Sequence, residues 1–443
     1  MNQPNTPAPN SPNGPTTAPA EHITGQQWKW SALAGMASYL DAGSIVAIGT
    51  GYKFFQTKMG ITDTMVGILS AIGPNALGCA IGAVFGGWLG DKLGRKFIYQ
   101  YDLMLYAAGI LCLTLAVNWP MLVIGTFIVG VAVGIDVPTS LALVGELAPA
   151  KARGKLLGLT QVAWSLGPVI VLLLGTVLSS LGLFGIRVIF FHLFLVAAIT
   201  WALRRGLTES VRWQEASKKT PESRRQIRSL FSGVHLKALV WTTTIYLFWN
   251  LAAGTAGNFN PYIISTLIGK SGSDTESYKQ AIGTGLSSLN FIIAMIVTIT
   301  VFMRYSDRSF RTRKTLWAIG AITQTIGYGI FLVMPFSIPT VIANIALFAG
   351  GCALAGEAFY KVFSQELFPT ILRGTAQGFT FGMARAILAA WSVFVPMLTN
   401  LDIRWVAGLL TLFLAISGIV GFFFMPDTSG KSLEQIESER AGA

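Results

Sequence analysis

GDKLGRK at residues 90–96 and SDRSFRTRK at 306–314 are variants of one charged segment, and ELAPAKARGK at 146–155 returns as ELFPTILRGT at 366–375. The Asp-to-Asp offset is 307 − 91 = 216, and the Glu-to-Glu offset is 366 − 146 = 220. All four stretches lie between long apolar runs. The near-constant spacing therefore reads as a unit of six membrane helices that has been doubled. Two similar halves rocking about a site between them is a general way of moving a solute across a bilayer.

Composition supports the membrane reading. Hydrophobic residues make up 52% and charged residues 12% of 443 residues, and the mean hydropathy is +0.58. A soluble domain carries roughly 25% charge, so this chain lacks the polar surface that water would demand. The net charge of +12 would suit nucleic acid, but the bases sit in short segments between apolar runs, which is the footprint of membrane topology. Cys79, Cys112 and Cys352 lie inside apolar runs without metal-ligand spacing and read as small fillers, so neither a metal nor a disulfide is expected. Residues 1–26, rich in Pro, Asn, Ser, Thr and Ala, read as a disordered tail and lack the charged and apolar regions of a signal peptide. No nucleophile–base set or phosphate loop is present, which argues against an enzyme, and no cofactor is expected.

A bilayer core of roughly 30 Å needs about 20 apolar residues per helix. Twelve runs meet that test, at about 31–52, 65–89, 97–117, 121–145, 156–180, 186–205, 237–257, 282–304, 314–334, 339–361, 375–398 and 404–425. The expected class is an all-α integral membrane protein of two pseudo-symmetric six-helix bundles. The predicted division is a tail over 1–26, an N-terminal bundle over 27–205, a middle loop over 206–236, a C-terminal bundle over 237–426 and a tail over 427–443. Lys92, Arg95 and Lys96, then Lys151, Arg153 and Lys155, then Arg304, Arg308, Arg311, Arg313 and Lys314 mark loops of one parity. Together with the basic middle loop they predict both termini in the cytoplasm of a cell with the protein in its inner membrane.

These motifs, with LTESVRW at 207–213 and the tail PDTSGKSLEQIE at 426–437, resemble the major facilitator superfamily. Within it they resemble the sugar-porter branch and its bacterial inositol-permease-like relatives. The similarity runs from about residue 30 to residue 437. It implies secondary transport by alternating access, with a small-molecule substrate, protons and the lipid bilayer as partners, no nucleic acid, and a monomer. Asp91, Arg95, Glu146, Arg153, Glu209 and Arg212 in the first half, and Asp307, Arg311, Glu366, Arg373 and Asp427 in the second, then read as gates. Ion pairs that exist only when one end is shut bias a two-state equilibrium. The other reading of the same charges is topology anchors with snorkelling side chains.

Three ionisable residues fall near mid-span, where each costs roughly 2.5–3.5 kcal/mol on insertion scales and so demands a role. Asp41, in SYLDAGS, reads either as a proton carrier or substrate contact, or as a structural acid. The resemblance favours the former, because proton-coupled sugar porters carry an Asp after Gly-Tyr in this helix and Tyr39-Leu40-Asp41 is similar with one residue inserted. Asp136, in GIDVPTS, precedes Pro138, which frees a backbone carbonyl; it reads as a substrate or proton site. The Arg that sugar porters place earlier on this helix is Thr126 here. Arg385 lies 385 − 373 = 12 residues beyond Arg373, about 18 Å at 1.5 Å per residue. It needs Asp41, Asp136 or an anionic substrate group as its partner. Glu357 and Lys361, at i and i+4 near the end of the tenth run, read as a self-satisfied pair.

By the same resemblance Gln161 stands where sugar porters hydrogen-bond a sugar hydroxyl, while the family's further Gln positions are Pro168, Ala252 and Ala253 here. Asn250 and Asn258 are candidate substitutes, and Trp391 and Tyr360 candidate rings for stacking on a sugar or cyclitol. The expected substrate is a sugar, a cyclitol or a related acidic sugar carried with protons. An organic anion held by Arg385, or facilitated diffusion without protons, stays open.

Overall fold

The computed structural model describes residues 23–206, 209–219, 227–268 and 276–441, and every regular element among them is helical. The tail expected over 1–26 lies mostly outside the described residues. The first helix, α1 (Gly25–Met59), starts inside it, where the Thr24 hydroxyl accepts from the Gln27 amide and the Gln27 side chain accepts from the Thr24 amide. That reciprocal cap satisfies two donors that a helix start leaves free.

The first half continues with α2 (Asp63–Ile72) and α3 (Leu77–Leu93), one span interrupted at 73–76 by Gly-Pro-Asn-Ala. It is completed by α4 (Arg95–Thr114), α5 (Trp119–Leu147), α6 (Arg153–Val177) and α7 (Leu183–Arg204). A short α8 (Val211–Lys219) lies in the middle connection. The second half holds α9 (Gly233–Ile268), α10 (Glu276–Val297), a π-helical turn at Thr298–Phe302 leading into α11 (Met303–Tyr305), and α12 (Phe310–Val333). It ends with α13 (Ile338–Leu354), α14 (Glu357–Glu366), α15 (Arg373–Leu401) and α16 (Ile403–Phe423), and the tail forms α17 (Leu433–Ala441).

Eleven spans among the described residues are long and apolar enough to cross a bilayer. The remaining span, seventh in order, is α9, whose 36 residues carry Asn250, Asn258 and Asn260 and several hydroxyls and aromatic rings, which lower its hydropathy. The architecture is the expected two-half, twelve-span membrane fold.

One departure matters for function. The tenth run, expected to be continuous over 339–361, breaks at Ala355 and Gly356 between α13 and α14. A Cβ on Gly356 would stand 2.5 Å from the Trp249 indole nitrogen and 2.6 Å from the Cys352 carbonyl, so only glycine admits this approach of α9. The break carries Glu357 and Lys361 into the interior, each with 1% of its surface exposed.

Candidate functional site

The basic ends of the two halves meet through a reciprocal arrangement. Asp91 at the end of α3 accepts from the backbone amides of Gly374 (3.2 Å) and Thr375 (2.6 Å) and from the Thr375 hydroxyl (2.8 Å), at the start of α15. Asp307 accepts from the amides of Gly154 and Lys155, both 3.0 Å, at the start of α6. The acceptor offset is 216 and the donor offset is 374 − 154 = 220, so the sequence repeat is also a repeat of contacts. In each case a carboxylate of one half sits on the positive N-terminus of a helix of the other half. Burial raises the Asp307 carboxyl above its ordinary range, against the pull of the Arg313 guanidinium.

Beneath these contacts lie two buried charge clusters. Glu146 takes Arg95 at 2.9 Å and, across the halves, Arg373 at 3.6 Å. Glu366 takes Arg313 at 2.8 Å and, across the halves, Arg153 at 3.1 Å. Arg95 also reaches Asp91 at 2.8 Å and the Thr370 carbonyl at 3.1 Å. Of the expected second-half bases it is Arg313, not Arg311, that joins the cluster, because SDRSFRTRK is two residues longer than GDKLGRK between its Asp and the base that returns to it. In the tail it is Thr428, bonded to Glu366 at 2.6 Å, that joins, while Asp427 accepts from the Ser429 amide. Glu209 accepts from the amides of Arg95 and Lys96, and Arg212 stands on a half-exposed pair with Glu434 at 3.7 Å. Arg212 thus lies at the rim of this set.

At mid-depth, Asp41 of α1 and Arg385 of α15 face one another across the halves at 3.7 Å. The Trp164 indole N–H donates to Asp41 Oδ2 at 3.2 Å, and Asp41 Oδ1 has no hydrogen-bond partner among the described residues. Arg385 also donates to the side-chain and main-chain oxygens of Asn75 at the α2–α3 break, and its guanidinium lies 4.8 Å from the Phe381 ring. A second cross-half tie runs beside it. Lys361 donates to Gln161 Oε1 at 2.8 Å and pairs with Glu357 at 3.6 Å, and Gln161 Nε2 donates to Glu357 at 3.5 Å. The Glu357–Lys361 pair therefore exists as the spacing suggested, but it is shared with the opposite half.

Two small cavities adjoin these ties. One, of about 10 Å³, is lined by Asn75, Trp164, Trp249, Asn250, Glu357 and Arg385 among others. The other, of about 30 Å³, is lined by Gln161, Trp164, Ser165, Trp249, Asn290 and Phe291 among others. Each has room for about one or two waters. Trp164 and Phe291, whose ring centroids are 5.8 Å apart, line both and bring the two halves together there. Asn250 Nδ2, Ser165 Oγ and Asn290 Oδ1 are buried without a hydrogen-bond partner among the described residues. Such atoms cost free energy until something polar meets them.

Four expected ligands are placed elsewhere. Asp136 is not at this interface: its carboxylate takes Arg204 at 3.0 Å and the Ser140 hydroxyl, inside the first half. The Arg204 partner comes from the end of α7, too far away in sequence for any local pattern to show. Asn258 bonds Ser70 and the Tyr52 hydroxyl (3.4 Å), tying α9 to α2 and α1 toward the end opposite the basic loops. Asn75 Nδ2 to the Gly254 carbonyl (3.1 Å) and Thr176 to Thr284 (2.9 Å) are further cross-half bonds. Trp391 donates to Thr255 and packs on Phe413 within the second half, and Tyr360 stacks on Tyr246 at 4.0 Å and bonds Thr380. Neither ring lines either of these two cavities. Asn75, Ser165, Asn290 and Phe291 were not singled out in the sequence; they are ordinary residues of apolar spans, and only their convergence distinguishes them.

Residues 31–393 match the Major Facilitator Superfamily. The chain is 37% identical to the Minor myo-inositol transporter IolF of Bacillus subtilis (strain 168), covering 94% of each. It is 25% identical to the Galactose-proton symporter of Escherichia coli (strain K12), covering 92% of each. Its fold matches that of the proton:xylose symporter XylE bound to 6-bromo-6-deoxy-D-glucose with a TM-score of 0.78 at 18% identity, covering 93% of this chain and 98% of that one.

Proposed function

This chain belongs to the major facilitator superfamily and is a multi-pass membrane transporter of the sugar-porter kind, and from that premise we propose that it carries a neutral cyclitol or sugar inward together with a proton. myo-Inositol heads the candidate substrates, because the relative that is 37% identical is named as an inositol transporter. The observation that carries the reading is the pair of adjoining cavities with Trp faces and unpartnered amide and hydroxyl atoms at the meeting of the halves. A polyol both donates and accepts, which suits that mixture of atoms.

The two buried acids and two buried bases at the interface balance, Asp41 and Glu357 against Arg385 and Lys361. A neutral substrate keeps that balance. A proton taken from water onto Asp41 forms an O–H bond and removes the charge that faces Arg385, so the cross-half tie weakens and the halves are free to part. Return of the proton to water on the other side restores it. An inward proton releases about 2.3 kcal/mol per 100 mV, or roughly fiftyfold accumulation. Separation of Trp164 from Phe291 would join the two cavities, and parting of the halves would widen the joined space toward the size of a ring. The basic end, with both chain termini, is assigned to the cytoplasm by its Lys and Arg, in a bacterial inner membrane.

A second reading rests on Arg385, whose Nε has no partner among the described residues. With Asp41 protonated, the guanidinium would be available to a carboxylate, and an acidic sugar would enter as an anion with its proton. Uptake of labelled myo-inositol, glucose and a sugar acid into proteoliposomes, with and without an inward proton gradient, separates these readings. Gradient-driven accumulation of the neutral compounds is expected. Uptake that ignores the gradient would sink proton coupling, and accumulation of the sugar acid alone would favour the anion.

A further inference from the structure

Asp102 of α4, Asp136 of α5 and Arg204 of α7 form a buried cluster that the interface chemistry does not use. Arg204 Nη1 stands 3.0 Å from Asp136 Oδ2 and 3.6 Å from Asp102 Oδ2, and the three side chains are at most 5% exposed. The other groups facing it are the Tyr99 ring, 4.2 Å from the guanidinium, the Ser140 hydroxyl on Asp136 Oδ1, the Leu103 amide on Asp102 Oδ1, and the Leu33 carbonyl of α1. None of these adds a positive charge. Two carboxylates against one guanidinium leave an uncompensated negative charge in a site that water does not reach, which costs several kcal/mol. Asp102 Oδ2 accepts no hydrogen bond among the described residues, and the Arg204 contact at 3.6 Å is too long to be one.

We propose that this cluster is a second protonation site of the transporter, separate from Asp41, holding one proton shared between Asp102 and Asp136 at neutral pH. The proton forms an O–H bond on one carboxyl and leaves a single carboxylate to balance Arg204. Like charges this close cannot both ionise cheaply, which is the logic of a carboxyl pair sharing a proton. The site reaches α1 as well. Arg204 donates from Nε (3.2 Å) and Nη2 (3.0 Å) to the Leu33 carbonyl, eight residues and about 12 Å along α1 from Asp41. Loss of the proton leaves two carboxylates competing with that carbonyl for one guanidinium, so the cluster's charge bears on the position of α1.

The proposal deepens the proton-coupled reading, but its test needs no transport. Infrared spectra of the purified protein in lipid nanodiscs at neutral pH should show the C=O stretch of one protonated carboxyl. Asp102→Asn and Asp136→Asn should each abolish that band entirely, since either change leaves one carboxylate opposite Arg204. Arg204→Gln, which removes the base, should about double it. Asp41→Asn should leave it in place. Absence of a protonated-carboxyl band in the folded protein, or a band that survives both Asp102→Asn and Asp136→Asn, overturns the proposal. So does loss of the band in Asp41→Asn alone. Failure of any one variant to fold leaves the others, and the unsubstituted protein, to decide.

Discussion

Asp41 and Arg385 show how much a single pair can be asked to do. Each has its charge compensated mainly by a residue of the opposite half, so removing one strands the other in a buried place. Arg385→Ala should lower stability by about 3–5 kcal/mol, the usual cost of breaking a buried pair, read as a fall in the denaturation midpoint in detergent. A shift under about 1 kcal/mol would mean that Asp41 was never dependent on it. Asp41→Asn keeps the hydrogen bond from Trp164 without the charge. Gradient-driven accumulation should be lost in that variant while exchange of labelled for unlabelled substrate continues; full accumulation would exclude Asp41 as the proton carrier. Gln161, held by Lys361, is expected to exchange that bond for a substrate hydroxyl. Gln161→Ala should therefore raise KM about tenfold, one hydrogen bond at roughly 1.4 kcal/mol, with an unchanged KM counting against Gln161 as a ligand. Of these residues Asp41 and Arg385 were visible in the sequence because charges in apolar runs are conspicuous, and Gln161 through the family resemblance. Lys361 was legible as the partner of Glu357, but i, i+4 spacing says nothing about a third partner 200 residues away.

At the scale of elements, the closed basic end depends on how nearly α3 and α15 touch. A Cβ on Gly87 would lie 2.2 Å from the Gly374 carbonyl, and one on Gly378 would lie 2.1 Å from the Ala83 carbonyl. Backbone leaves no room to adjust at either point, so Gly87→Leu should hold the two helices apart. Cys352, which lines the larger mid-depth cavity, reports on this. Its alkylation by a small maleimide should become several-fold faster in Gly87→Leu, and an unchanged rate would mean that this contact does not hold the end shut. The small residues of α3 were legible in sequence as a surface for close packing. Their partner helix was not, because apolar runs are nearly interchangeable as text.

For the whole molecule, the duplicated sequence becomes a pseudo-twofold set of contacts. Asp91 caps α15 and Asp307 caps α6, each with bonds that cross from one half to the other at the basic end, as a gate requires. Charge-assisted bonds of this sort are worth roughly 1.5–3 kcal/mol, so loss of either should shift the open-to-closed ratio by about tenfold or more. Asp91→Asn and Asp307→Asn should accelerate Cys352 alkylation to similar extents, and together more than either alone. If only one of the two matters, the symmetry of contacts is not a symmetry of energy.

The residues in order were enough to establish a twelve-span membrane chain, its doubling, its family and the charged sets at one end, because hydropathy, spacing and charge are properties of the string. Pairing is not such a property. That Arg204 claims Asp136, that Asn258 ties helices at the far end, and that a broken tenth span delivers Glu357 and Lys361 to Gln161 came from the packing of helices distant in sequence. In an interior without water to satisfy them, polar groups take whichever partner the fold brings within about 3 Å, and only the folded chain sets that distance.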